Sequence, residues 1–214
     1  MKIILDAGHA VEGAVGARGN GYKEEVEARK IVDSLANKLR QQGHTVYIAS
    51  CDKEKDANKQ LKKIVEKANK VQADLFVSIH LNSFADPKAN GVEVYSLGKS
   101  GTSHTYACKI QEELVKLGYY DRKKKEANFY VLRHTIAPAV LVETGFITNA
   151  ADMKRYNVDK VSEAILKGIT GTSSKPNVIF RVVAGSYSDR KNAENMIKLL
   201  ESKGIKSFID IINK

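Results

Sequence analysis

The sequence predicts an α/β fold: a twisted, mostly parallel sheet flanked by helices, followed by a small C-terminal β-α-β module. Three observations predict it. Short β-rich runs alternate with amphipathic helical patterns as far as residue 170. The runs around 74–80 and 139–143 read as buried-type strands, as parallel sheets require. The 214 residues, 43% apolar and 28% charged, are enough for a sizeable core of ordinary globular composition.

Lys2 to Leu5 is a first strand, leading into Asp6-Ala7-Gly8-His9. Residues 10–23 read as an irregular loop because Gly13, Gly16, Gly19 and Gly21 punctuate it. Ala28, Ile31, Val32, Leu35 and Leu39 then fall on one helical face, which Gly43 closes in the manner of a C-terminal glycine. Thr45 to Ala49 is a second strand. Leu61, Ile64, Val65, Ala68 and Val71 trace a helix whose Lys-rich outer face is solvated. Strands follow at 74–80 and 91–97, and Ala107, Ile110, Leu114 and Leu117 mark a third helix. Residues 128–132 and 139–143 read as strands, and Val161, Ala164, Ile165 and Ile169 as a last helix. Residues 171–176, Gly-Thr-Ser-Ser-Lys-Pro, form a linker by composition. Beyond it, 177–214 reads as strand (178–184), helix (192–202) and strand (207–212), a thin core for an independent unit.

Composition excludes several classes. The net charge of +10 points to a polyanionic partner, nucleic acid or a bacterial wall rich in carboxylate and phosphate polymers, or merely to good solubility. No apolar run approaches the ~18 residues of a membrane helix, so no membrane span is expected. Met-Lys-Ile-Ile-Leu-Asp breaks to an acid too early for a secretory signal, which predicts synthesis in the cytoplasm without a signal peptide. Cys51 and Cys108 are too few for a disulfide scaffold and form no CxxC pair. Neither a G-x-G-x-x-G opening a helix nor a G-x-x-x-x-G-K-[ST] loop is present, and there is no Trp. A nucleotide- or nucleic-acid-binding role is therefore disfavoured.

The chemistry-bearing residues fall in a pattern. His9, His80 and Glu143 end predicted strands, and Glu24 opens a helix. In an open parallel sheet, strand ends and helix starts share the edge where ligands gather. Two imidazoles and a carboxylate suit one zinc ion with its fourth position left to water. A second carboxylate beside it can take a proton from that water and pass it on. Glu143 suits this role, since a carboxylate after the apolar run 138–142 is costly unless paired or functional. Asp6 and Asp74 are candidates to orient the histidines. His44 and His104 read as surface residues, with His134 open.

In order along the chain stand Ile4-Leu5-Asp6-Ala7-Gly8-His9, Gly21-Tyr22-Lys23-Glu24, Ala73-Asp74-Leu75-Phe76-Val77-Ser78-Ile79-His80-Leu81-Asn82-Ser83, Val131-Leu132-Arg133, and Pro138-Ala139-Val140-Leu141-Val142-Glu143-Thr144-Gly145-Phe146-Ile147-Thr148-Asn149. Over residues 1–170 these resemble the type-3 family of zinc N-acetylmuramoyl-L-alanine amidases. The resemblance implies hydrolysis of the amide between the lactyl group of N-acetylmuramic acid and L-alanine in peptidoglycan. It maps the zinc ligands onto His9, Glu24 and His80, with Glu24 chosen over Glu25 by register. The catalytic glutamate maps onto Glu143. Asn82, Arg122 and Lys125 match positions that face substrate, although Lys123 stands where the family pattern has glycine.

In the tail, Phe180-Arg181-Val182-Val183-Ala184-Gly185-Ser186-Tyr187-Ser188 followed by Asn192-Ala193-Glu194 resembles the first half of a SPOR peptidoglycan-binding domain. That implies a wall-targeting module, or a pairing element that makes a homodimer through its open sheet edge. The expected setting is a cell-wall lytic enzyme, a phage endolysin or a sporulation-type autolysin, that reaches the wall after holin action or mother-cell lysis. The competing reading is a non-catalytic peptidoglycan-binding protein on the same fold, which the intact His9, Glu24, His80 and Glu143 disfavour.

Overall fold

The apolar run after Met1 becomes the second strand of a six-stranded sheet in the computed structural model, which describes residues 1–174 and 183–211. Strand β1 is Lys2–Ala7, and a two-residue ladder pairs β2 (Arg18–Gly19) with β3 (Tyr22–Lys23). Helix α1 (Glu24–Gln41), β4 (Thr45–Ile48), α2 (Ala57–Asn69) and β5 (Leu75–Asn82) follow. Then come β6 (Val92–Ser96), α3 (Gly101–Val115), β7 (Asp121–Glu126), α4 (Tyr130–His134) and β8 (Ala139–Phe146). Helices α5 (Ala150–Arg155) and α6 (Val158–Thr170) complete the first unit, Met1–Lys175; α7 (Arg190–Ser202) lies in the second, Pro176–Lys214.

The sheet order is β4-β1-β5-β8-β6-β7, parallel throughout except where β6 runs antiparallel to β8. Alternation along the central strands divides the core in two. Ile3, Leu5, Val77, Ile79, Val140 and Val142 pack with α1, α3 and α6. Ile4, Phe76 and Leu141 turn the other way, onto Ile64 and Val65 of α2 and Val131 and Leu132 of α4. Toward the carboxyl ends of the strands this second set gives way to Asp6, Ser78, His80 and Glu143, so the polar residues share one face by the period of two. At the α3–α6 crossing, a Cβ on Gly168 would lie 2.6 Å from the Ile110 Cα, so glycine is what lets these helices meet.

Several expectations need correction. The predicted strand at 128–132 is instead the lead-in and first three residues of the one-turn helix α4; the strand in this region is β7, seven residues earlier. β7 reads Asp-Arg-Lys-Lys-Lys-Glu, and as an edge strand it carries no apolar alternation to betray it. The glycine-rich loop holds the β2–β3 turn at Asn20-Gly21, both at positive φ (48° and 82°), the pairing favoured in tight hairpins. Helix α5 is too short to show a period. In the second unit α7 begins two residues before the expected helix. The expected strand at 178–184 falls largely outside the described residues, and 207–211 forms no strand. A strand exists only through a ladder, and no ladder is made there among the described residues.

Candidate active site

Three donor groups meet at the carboxyl edge of β1 and β5. Glu24, the first residue of α1, places Oε1 3.0 Å from Nδ1 of His80 and 3.3 Å from Nε2 of His9. One ligand atom from each residue lies within 4.8 Å of the others. The two rings meet edge-on, with centroids 5.2 Å apart. The backbone N–H groups of Ala17 and Leu81 donate to Glu24 Oε2 and Oε1 at 2.9 and 3.2 Å. Burial alone would raise the Glu24 pKa, but the bonds with His80 and then His9 outweigh it and hold the carboxyl well below its usual range. Burial works against a charged His80, yet Glu24, Glu143 and Asp6 around it raise its pKa to about 9.

The backbone is shaped around this cluster. His9 itself adopts a left-handed conformation, φ 62°, which an L-residue holds only when its surroundings enforce it. Arg29 supplies part of that enforcement: Nη2 donates to the His9 carbonyl at 2.8 Å, while the guanidinium also grips Asp52 and the Glu25 carbonyl. A Cβ on Gly8 would lie 2.2 Å from the His80 ring. One on Gly16 would lie 2.6 Å from Glu24 Oε2 and 2.7 Å from His9 Cδ2. The neighbouring acid has a separate task, because Glu25 takes a two-pronged bond from Arg18 at 2.6 and 2.7 Å.

Glu143 stands beside His80 in register on β8. Its Oε2 is buried and has no hydrogen-bond partner among the described residues. Burial pushes its pKa up and His80 pulls it down, while Glu24 and Glu93 add to the rise, leaving it at about 7. Two irregularities frame this strand. β8 slips by one residue between Glu143 and Phe146, where Gly145 has φ 135°. β7 slips between Asp121 and Lys124, where Lys123 has φ 69°. Bulges of this kind re-aim side chains beside sites.

Asn82, Arg122 and Lys125 also converge, on a residue the sequence reasoning missed. Glu93 of β6 is 2% exposed and sits opposite Glu143 in the antiparallel pair. It accepts from Asn82 Nδ2 at 2.6 Å and Tyr95 OH at 2.7 Å through Oε1. Arg122 Nε donates to Oε2 at 2.8 Å, and Lys125 Nζ bonds the same oxygen. The available signal was an acid inside the apolar run 91–97. Asp6 lies on the site's face, taking the Ser78 hydroxyl at 2.7 Å. Asp74 does not join it. It precedes β5 and accepts from the Lys2 N–H at the opposite edge of the sheet, six residues of extended chain from His80. His134 stacks on Tyr130 of α4, His44 meets the amino terminus, and His104 faces Cys108 on α3; none joins the cluster. Both cysteines are free thiols. Among the described residues no helix is long and apolar enough to cross a membrane.

Comparison with known proteins gives a consistent result. A family model described as N-acetylmuramoyl-L-alanine amidase matches residues 3–172. The uncharacterised protein YqiI of Bacillus subtilis is 37% identical over 174 residues, 78% of this chain and 82% of its own. The sporulation-specific N-acetylmuramoyl-L-alanine amidase of the same species is 29% identical over 221 residues, covering 98% of this chain and 84% of that protein. Among solved structures, an N-acetylmuramoyl-L-alanine amidase from Clostridium difficile 630 superposes with a TM-score of 0.72 at 30% identity, over 79% of this chain and 95% of that one.

Proposed function

The chain belongs to the N-acetylmuramoyl-L-alanine amidase family, and from that membership we propose how its residues perform the reaction. The enzyme hydrolyses the amide between the lactyl group of N-acetylmuramic acid and L-alanine in peptidoglycan. The observation that carries the assignment of residues is the meeting of His9, Glu24 and His80 beside Glu143, whose buried Oε2 has no hydrogen-bond partner among the described residues.

The donor set fits a zinc ion. Ligands at about 2.0–2.2 Å in a tetrahedron stand roughly 3.3 Å from one another, and the Glu24 oxygen lies 3.3 and 3.0 Å from the two imidazole nitrogens. Gly8 and Gly16 keep the space around the three groups clear of side-chain atoms. His9, Glu24 and His80 would hold one ion. When bound, zinc supplies a Lewis acid for the amide carbonyl and makes water more acidic. Glu143, ionised, takes the proton of the attacking water on its carboxylate and then delivers it to the departing alanine nitrogen. Glu24, kept ionised by its histidines, does not compete for that proton. Asn82, Arg122 and Lys125 bind the substrate beside Glu143.

We assign residues 177–214 to wall binding or to pairing with a second copy. The match to the sporulation-specific relative extends over 98% of this chain and so includes this segment, whereas the family model ends at 172. The helix α7 and the residues after it expose Leu199, Ile205, Phe208 and Ile211, apolar surface suited to a contact. The relatives include both a sporulation-specific amidase and, at 35% identity, an endolysin of Bacillus phage SPP1, which supports a cell-wall lytic enzyme of either kind, a sporulation-type autolysin or a phage endolysin.

Digestion of purified peptidoglycan with and without a chelator tests the assignment. New L-alanine amino termini should appear and should vanish on chelation, while new reducing sugar ends would overturn it. Glu143→Gln should lower the rate by about 10²–10⁴-fold with bound metal retained, and near wild-type hydrolysis by this variant would remove Glu143 from the base role.

A further inference from the structure

The structure assigns a carboxylate-binding subsite to Arg122 and Lys125, assembled on Glu93 and aimed at an acidic residue of the stem peptide next to the scissile amide. The proposal rests on the amidase reading and adds to it the chemical class that this part of the cleft recognises.

The argument starts from the period of the strand. Residues three apart on a regular strand point to opposite faces, so Arg122 and Lys125 should not share one. The extra residue in β7 changes the parity. Arg122 and Lys123 together stand against Glu93, and the ladder resumes with Lys124 beside Val94 and Lys125 beside Tyr95. Both cations thereby reach the face that carries Glu143, and both bond Oε2 of Glu93.

Unspent donors make this cluster a receptor. Two cations meet one carboxylate, Glu93, with Glu143 as its register partner beside it. Glu93 has spent both oxygens on four donors. Arg122 has not spent its donors: only Nε is used, and both terminal nitrogens are without a hydrogen bond to the described residues. The Arg122 side chain is 30% exposed and that of Lys125 37%, so the remaining N–H groups face an incoming ligand. The guanidinium lies 4.9 Å over the Phe146 ring, and the Lys125 ammonium lies 6.0 Å from that of Tyr95. These contacts fix the donors before a ligand arrives, which is what makes a planar guanidinium selective for a carboxylate. The subsite adjoins Glu143 directly, because Glu93 and Glu143 are register partners. An anion bound here lies close to Glu143, the group that protonates the departing nitrogen.

Two muramyl dipeptides test this with the metal-loaded, full-length enzyme: one with a free carboxylate on the residue after L-alanine, the other with that carboxylate converted to an amide. We expect kcat/KM to favour the free acid by about tenfold or more, mainly through KM. In the double variant Arg122→Gln/Lys125→Gln the ratio should fall toward one. Equal rates on the two compounds, or a preference for the amide, would overturn the proposal while leaving the amidase reading intact. A preference that survives in the double variant would overturn it too, by placing recognition elsewhere. Hydrolysis of neither compound, nor of purified peptidoglycan, would overturn the amidase reading itself.

Discussion

At Glu143 a single carboxylate links stability to pH. Its pKa, about 7 in the folded protein, lies above the ordinary value, so folding favours the protonated form. The sign follows: the stability this group contributes is fully present below its unfolded pKa and is lost as pH rises through about 7. His80, also raised, loses its contribution on rising through about 9. Metal-free protein should therefore unfold more easily at pH 8.5 than at pH 5. Glu143→Gln should flatten that dependence, with an advantage over wild type at pH 8.5 of up to about 3 kcal/mol that shrinks at pH 5. Denaturant melts in chelator at the two pH values measure it, and equal wild-type and variant slopes would rule it out. The glycines make a second test. Gly16→Ala puts a methyl against Glu24 and His9, so zinc affinity should fall roughly 10–100-fold, as when a supporting group is lost, with little change in melting temperature. Chelator competition reads the affinity, and unchanged affinity would show that the loop yields freely. The sequence alone singled out His9, Glu24, His80 and Glu143, which the structure brings to one sheet edge, because each combines a ligand-type side chain with an element terminus. It concealed the roles of Arg29, Gly8 and Gly16, which depend on distances between segments far apart in the chain, while Glu93 gave only the sign of an acid within an apolar run.

Among the elements, β7 shows why legibility varies. The central strands β1, β5 and β8 are apolar on the faces they bury, and each was readable from its run of residues. β7 is charged from end to end because one edge is open and its inward residues bind Glu93 rather than a core. Periodicity has nothing to register in such a strand. The bulge gives an experimental handle. Lys123 holds a left-handed φ that glycine adopts without strain and a β-branched residue resists. Lys123→Gly should retain activity and keep or raise the melting temperature. Lys123→Val should lower the melting temperature and raise KM severalfold, because flattening the bulge turns Arg122 or Lys125 away from Glu93. Michaelis kinetics and thermal melts of the pair decide the matter, and identical behaviour of the two variants would show that the bulge does not depend on residue 123.

For the whole molecule, the positive charge and the two-unit organisation bear on the same question, how the enzyme stays on its substrate. Basic residues outnumber acidic ones by 27 to 21 in residues 1–170 and by seven to four in 177–214. The excess is thus distributed rather than gathered in a tail, which suits a wall carrying anionic groups over its whole surface better than a single docking point. The first unit contains all four proposed catalytic and metal-binding residues and both core clusters, and α7 of the second unit has no buried residue of its own. Chemistry and retention should therefore separate on truncation. Residues 1–175 should unfold at nearly the wild-type temperature and hydrolyse short, soluble muramyl peptides within about twofold of the full chain, since the reacting groups and their supports are all present. On intact walls the truncated enzyme should bind more weakly. Both forms should release as salt is raised, because exposed charges more than a Debye length apart, about 8 Å at 0.15 M, no longer act together. Sedimentation with purified walls over a salt series measures this. Wall binding by residues 1–175 equal to that of the full chain at every salt concentration would take retention away from the tail and leave it to the catalytic unit.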